Sequence, residues 1–210
     1  MPTRHRAQDV LAFWFGPRPW TLPSLRRRFA LWFGDPARSE LTPQADEAIR
    51  LRYGALTRAA ASGELEAWES SPRRRLALIL LLDQFPRSIH RGSAVAFVND
   101  PKALALSITG LQLGADAVLD PVERIFFYMP LQHAESLEVQ EESVAAYRRL
   151  RDEAAPELKT LFDGVCRSAE QHRDIIQRFG RFPHRNAVLR REPTPEELAW
   201  LQAGGARFGQ

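Results

Sequence analysis

The chain has 210 residues, 44% of them hydrophobic, with five Trp and twelve Phe, enough for one domain with a sizeable core. No apolar stretch approaches the roughly 20 residues needed to span a bilayer, and the single cysteine, Cys166, excludes an intrachain disulfide framework and suits a reducing compartment. The net charge of +3 at a pI of about 9.5 comes almost wholly from arginine, and acidic stretches such as ESLEVQEES dilute the field that a nucleic acid would need.

At the start, MPTRHRAQDVLAFWFG carries early positive charge. The apolar run after Asp9 is too short for a signal-peptide core, and no small-residue cleavage site follows it. A cytoplasmic protein of bacterial type is expected. The arginine runs 26–28 and 73–75, with Arg148, Arg149 and Arg151, read as helix starts and solvated helix faces. Five helix starts follow from a capping oxygen placed directly before a proline: Thr42-Pro43, Ser71-Pro72, Asp100-Pro101, Asp120-Pro121 and Thr194-Pro195. Glu123 and Glu196, just after two of these prolines, suit the positive end of the helix dipole. Gly63, Gly114 and Gly180 read as stops, and Pro86 and Pro130 as interruptions.

Between these marks apolar residues recur at threes and fours, as in Leu104, Ile108 and Leu111, or Leu158, Leu161, Phe162, Val165, Cys166 and Ala169. No alternating strand pattern and no hairpin dipeptide between apolar runs is present. The reading is an all-α protein of about eight to ten helices, with residues 1–210 as a single domain of short-looped helices. No register repeats at about 34 residues, so a decayed helical-hairpin array and an irregular bundle both stay open.

Four segments break the amphipathic pattern. In LLLDQFPRSIHRG (80–92), Asp83 falls near the C-terminal end of an apolar helix, where the dipole disfavours a carboxylate by roughly 0.3–1 kcal/mol. It wants a cation, and Arg87 and Arg91 are the local candidates; an ion pair that merely pins the turn at Pro86 explains the segment equally well. In FYMPLQHAESLEVQ (127–140), His133 is expected one helical turn from Leu137 and two from Gln140, with Glu135 pointing elsewhere. His-x-Glu is not a helical metal pair and lacks HExxH spacing, so no metal is expected. In AEQHRDIIQRFG (169–180), His172 continues an apolar stripe, the setting of a hydrogen-bonded core histidine. FGRFPHRN (179–186) then leaves Arg181, His184, Arg185 and Asn186 on irregular backbone between Gly180, a helix cap, and the stiffening Pro183. Arginines beside aromatics on a stiff loop suit planar recognition of a carboxylate or phosphate, and a histidine among them could move protons near neutral pH. Arg185 could instead reach back to Asp83 or Glu135 and tie helices together, at a desolvation cost.

Together LLLDQFPRSIHRG, Phe97-Val98-Asn99-Asp100, FYMPLQHAE and HRDIIQRFGRFPHRN make the chain resemble the bacterial domain-of-unknown-function family 924, from VLAFWFG through Gly63-Glu64-Leu65 and Trp68 to Thr194-Pro195-Glu196-Glu197. The resemblance implies antiparallel helix hairpins stacked in a tetratricopeptide-like right-handed superhelix or a compact helical array, and it implies no activity. It also implies that Asp83 to Arg87, His133 with Glu135, and Phe182 to Asn186 are family positions. Three departures stand out against that pattern. Ala134 replaces a usual serine, which argues against a hydroxyl nucleophile there. Leu189-Arg190-Arg191 replaces Leu-Gly-Arg, which should stiffen the last turn. The segment after Trp32-Phe33 lacks an expected Phe-Asp, which bears on how the second hairpin docks.

Three functions compete. A small-molecule site would use Asp83, His133, Glu135 and His184 for acid–base work. Arg87, Arg91, Arg181 and Arg185, with Asn186 and His172, would hold a small anionic metabolite there. A tetratricopeptide-like scaffold would instead clamp a peptide carboxylate with the same arginines and catalyse nothing. A buried polar network that sets helix register is the third reading. The Walker A, Gly-x-Gly-x-x-Gly and Gly-x-Ser-x-Gly sequences are absent, which excludes a nucleotide fold and an α/β-hydrolase. No cofactor, nucleic acid or membrane is expected as a partner, and Cys166 on an apolar face is expected to be a buried, inert thiol.

Overall fold

In the computed structural model, which describes residues 6–33 and 41–208, the run 76–82 is 0–3% exposed along its whole length. It belongs to α4 (Pro72–Leu82), and a helix apolar on every side can only be a core helix. Around it pack α1 (Ala7–Phe15), α3 (Leu41–Ala61), α6 (Asp100–Gln112) and α7 (Pro121–Gln132). The remaining helices are α2 (Leu22–Phe33), α5 (Gln84–Ile89), α8 (Leu137–Asp152), α9 (Lys159–Phe179) and α10 (Pro195–Gln202). The described residues contain no strand, and no helix among them is long and apolar enough to cross a membrane. A solenoid repeat touches only its neighbours; a central α4 that meets helices from both halves of the chain makes this a compact helical array.

An aromatic layer closes one side of α4. Phe126 lies edge-on to Trp14 and Trp32 at 5.4 and 4.8 Å, and the Trp32 indole N–H donates to the Trp14 carbonyl at 3.0 Å. On the other side α6 approaches α7 closely because Gly110 has no side chain. A Cβ there would sit 2.4 Å from the Phe127 ring and 2.9 Å from Arg75 Cδ. Ile175, Ile176 and Phe182 form a second, smaller apolar cluster with Phe179, Trp200, Ala206 and Phe208, apart from the main core.

The expected helix signals hold where they are local. Asp120 and Thr194 close capping boxes with Glu123 and Glu197, and Gly63, Gly114 and Gly180 all have positive φ just past helix ends. Others are corrected. Ser71 makes no side-chain cap, α3 begins at Leu41, and Asn99 rather than Asp100 precedes α6. Pro86 does not end a helix but sits in the first turn of α5; the break lies at Asp83, since a proline ring excludes the carbonyl four residues back, here that of Leu82, where α4 stops. Pro130 lies inside α7, two residues before its end. His133 caps α7 and α8 starts only at Leu137, so His133 does not share a helix with Leu137 and Gln140. Arg190, where Leu-Gly-Arg is usual, has a left-handed φ of 53°, the conformation that favours glycine. The segment after Phe33, residues 34–40, lies outside the described residues, as do residues 1–5.

Candidate functional site

The break between α4 and α5 puts Asp83, fully buried, at the centre of a polar cluster. Its Oδ1 accepts from His133 Nδ1 at 2.7 Å and lies 3.1 Å from Arg87 Nη1, while its Oδ2 accepts from the Gln84 amide. Burial alone would raise this carboxyl, but Arg87, His133 and Gln84 outweigh it and hold it well below the usual carboxylate range. An ionised carboxylate only accepts, so the His133 hydrogen sits on Nδ1 and the lone pair on Nε2. Burial first, then Arg87, lowers the His133 pKa against the pull of Asp83, which leaves a neutral imidazole.

Arg87 ties this pair to α6. Its Nη1 donates to the Asp83 carbonyl at 2.6 Å, and both terminal nitrogens fork onto the Asp100 carboxylate at 2.9 Å. Asp100 Oδ2 is in turn 3.5 Å from Arg185 Nη1. The Arg185 guanidinium lies between the rings of Phe97, at 4.7 Å, and Phe182, at 4.5 Å. It is 6% exposed, and its Nε has no hydrogen-bond partner. A buried donor left unmade costs about 1–3 kcal/mol. Burial and then Arg87 bring Arg185 down to about 10, which still leaves it cationic at neutral pH.

Beside Arg185 the buried Nδ1 of His184 also lacks a partner. Burial, then Arg185, pushes this imidazole down to about 3. His172 Nδ1 is 2.7 Å from the Ser168 carbonyl; its ring lies 6.2 Å from that of His133 and stacks on Phe208 at 3.8 Å. Burial first, then His133, holds its pKa well below the ordinary value.

The other expected residues are engaged elsewhere. Glu135 faces away from His133: it accepts from the Phe182 N–H at 2.8 Å and from Arg191 at 2.6 and 3.0 Å. Arg181 forks onto Glu197 at 2.6 and 2.8 Å, and Asn186 donates to the same carboxylate at 3.1 Å. These contacts fasten α10 to the FGRFPHRN loop. Arg91 pairs with Asp46 at 2.7 and 3.0 Å, outside the cluster. The cluster thus joins Asp83, His133, Arg87 and Arg185, with His172 and His184 adjoining. Sequence reasoning missed the ties made by Asp100 and Glu197, read only as parts of helix starts, and by Arg191 and Phe208, which carry no local signal.

The side chains of the cluster contact one another, with Asp83, His172 and Arg185 buried and His133, Arg87 and His184 partly exposed. A cleft of ≈ 180 Å³ lies between the end of α3, α4 and α6, lined by Gly63, Glu66, Glu69, Leu82 and Lys102 among others and by no residue of the cluster. Among the described residues no three or more His, Cys, Asp or Glu are arranged to hold a metal ion. Cys166 is buried, and burial raises its thiol pKa, as befits an inert thiol.

A family model described as "Bacterial protein of unknown function (DUF924)" matches residues 10–205. A solved structure of a protein of unknown function from Agrobacterium tumefaciens is similar at 34% identity and a TM-score of 0.77, over 94% of this chain and 97% of that one. No curated protein matches the chain.

Proposed function

The chain belongs to the DUF924 family, and for this member we propose acid–base chemistry on a small anionic metabolite at the Asp83–His133 pair. The observation that carries the reading is the 2.7 Å contact between a fully buried carboxylate and the Nδ1 of His133. A carboxylate on one ring nitrogen fixes the tautomer and orients the other as a proton acceptor. His133 is neutral at pH 7, as a general base must be before it takes a proton. Arg185, cationic and with a bare Nε, is the group that would hold the anion. Asp83 positions His133 and does not itself exchange protons with substrate. Asp83 and Arg185 are buried, so an anion reaches Arg185 only where neighbouring side chains part.

The test is a panel of phosphorylated and carboxylated metabolites incubated with wild-type protein and with His133→Gln, with consumption followed by NMR. One class should be turned over by the wild type and at least roughly 100-fold more slowly by the folded variant. A panel left intact by the wild type, alongside measurable binding of a peptide carboxylate, would replace catalysis with the scaffold reading.

A further inference from the structure

The tail after α10 ends the described chain on an aromatic ring set into the histidine cluster. Phe208 stacks on His172 with ring centres 3.8 Å apart and planes 26° from parallel. It meets His184 edge-on at 5.4 Å and Phe182 edge-on at 6.4 Å. Phe182 also meets the Arg185 guanidinium, at 4.5 Å. Phe208 holds this place at a backbone cost: its φ is +51°, a left-handed value that an L side chain adopts reluctantly, at about 1–2 kcal/mol. Gly204, at φ +89°, and Gly205 lie between it and α10. Its apolar support is the small second cluster rather than the main core. A strained residue on a glycine-bearing tail, packed on a minor cluster, is easily displaced.

We propose that Phe208 occupies an aromatic subsite walled by His172, Phe182 and His184, and that the ligand it stands in for is a small aromatic ring bearing an anionic group. The ring takes the place of the phenyl, and the anion meets Arg185 Nε and, with its hydrogen on Nδ1, His184, both buried without a hydrogen-bond partner among the described residues. The tail is then an intramolecular competitor, which accounts for buried nitrogens left without a partner beside it. This inference rests on the anion role given to Arg185 above.

The test compares wild type with Phe208→Gly, because glycine keeps the left-handed backbone while the ring is lost. Calorimetric binding is measured for phenyl phosphate, phenylpropionate and ring-free inorganic phosphate, and thermal melting confirms that each variant is folded. Phe208→Gly should bind at least one of the two aromatic anions at least tenfold more tightly than wild type, with phenyl phosphate and phenylpropionate separating a phosphate from a carboxylate preference. Inorganic phosphate should gain far less, and Phe208→Tyr should restore the wild-type affinity. Equal affinity of wild type and Phe208→Gly for both aromatic anions, with phosphate bound by either, overturns the subsite and leaves the anion role of Arg185 standing. Binding of none of the three probes by the folded variant overturns both.

Discussion

Acidification from pH 7.5 to 5.0 should remove about 2 kcal/mol of folding stability through His184, with His172 adding to the loss in the same direction. Both imidazoles are neutral in the fold: burial and then Arg185 push His184 down to about 3, and burial and then His133 hold His172 well below its ordinary value. A histidine with a depressed folded pKa binds more protons unfolded. Its stability contribution is therefore complete above the unfolded value near 6.5 and is lost as pH falls toward the folded one. At pH 5.0 an unfolded histidine is protonated by about 30 to 1, which favours unfolding by ~2 kcal/mol; at pH 7.5 the same effect is about 0.1 kcal/mol. The figure hardly changes for any folded pKa below about 4. His133, also depressed, adds to the loss with the same sign. The carboxyls of Asp83, Glu135 and Glu197 are all held low and titrate beneath this window. Urea denaturation at the two pH values reads the difference, and His184→Asn should recover about 2 kcal/mol of it. A wild-type change under about 1 kcal/mol would refute the argument, since neither histidine could then be buried and neutral.

Other substitutions test separate parts of the fold. Asp83→Asn leaves Arg87 paired with Asp100 alone, and breaking a buried pair of this kind should cost about 3–5 kcal/mol by chemical denaturation; a loss under ~1 kcal/mol would mean that the network does not hold the helices. Arg190→Gly should raise Tm by up to about 3 °C, since relief of the left-handed strain exceeds the freedom that glycine adds to the unfolded chain. A lower Tm for that variant would remove the strain. Gly110→Ala forces a methyl into the Phe127 ring and should destabilise by about 1–3 kcal/mol. Gly164→Ala, whose added Cβ meets nothing, is the helical control and should be neutral or stabilising by up to ~1 kcal/mol.

What could be read from the sequence was what neighbouring residues decide among themselves. Asp120 with Glu123 and Thr194 with Glu197 cap their helices because cap and partner lie within one turn. The glycine stops follow from φ alone. Asp100 shows where local reading ends. It stands before a proline like a cap, yet its carboxylate turns to Arg87 on another helix, a choice that depends on where α5 and α6 meet. Arg181 was grouped with Arg185 because they share a loop, but the two point to different partners: Glu197 on α10 for the first, Asp100 and two phenyl rings for the second. The buried polar residues Asp83, His172 and Arg185 were legible as exceptions to apolar patterning. Whether such residues line a space or fill it is a property of packing, and their contacts with one another bore no sequence mark. The departure at Leu189-Arg190-Arg191 was read as a stiffer last turn, and the left-handed φ of Arg190 emerges only from the structure.

The position of α4 has a consequence for how the protein is made. Its apolar run is complete once Leu82 has been synthesised, but α6 and α7, which cover much of it, finish only at Gln112 and Gln132. At about 5–20 residues per second, a ribosome needs several seconds to supply them. Throughout that interval the nascent chain carries seven consecutive buried-type residues without the cover of α6 and α7, with α1, α3, the 66–70 turn and then α5 as shelter. Chains that have released α4 from the ribosome before α7 is complete should therefore be the species that chaperones hold longest, and depletion of those chaperones should lower the yield of this protein before it alters the stability of the finished fold.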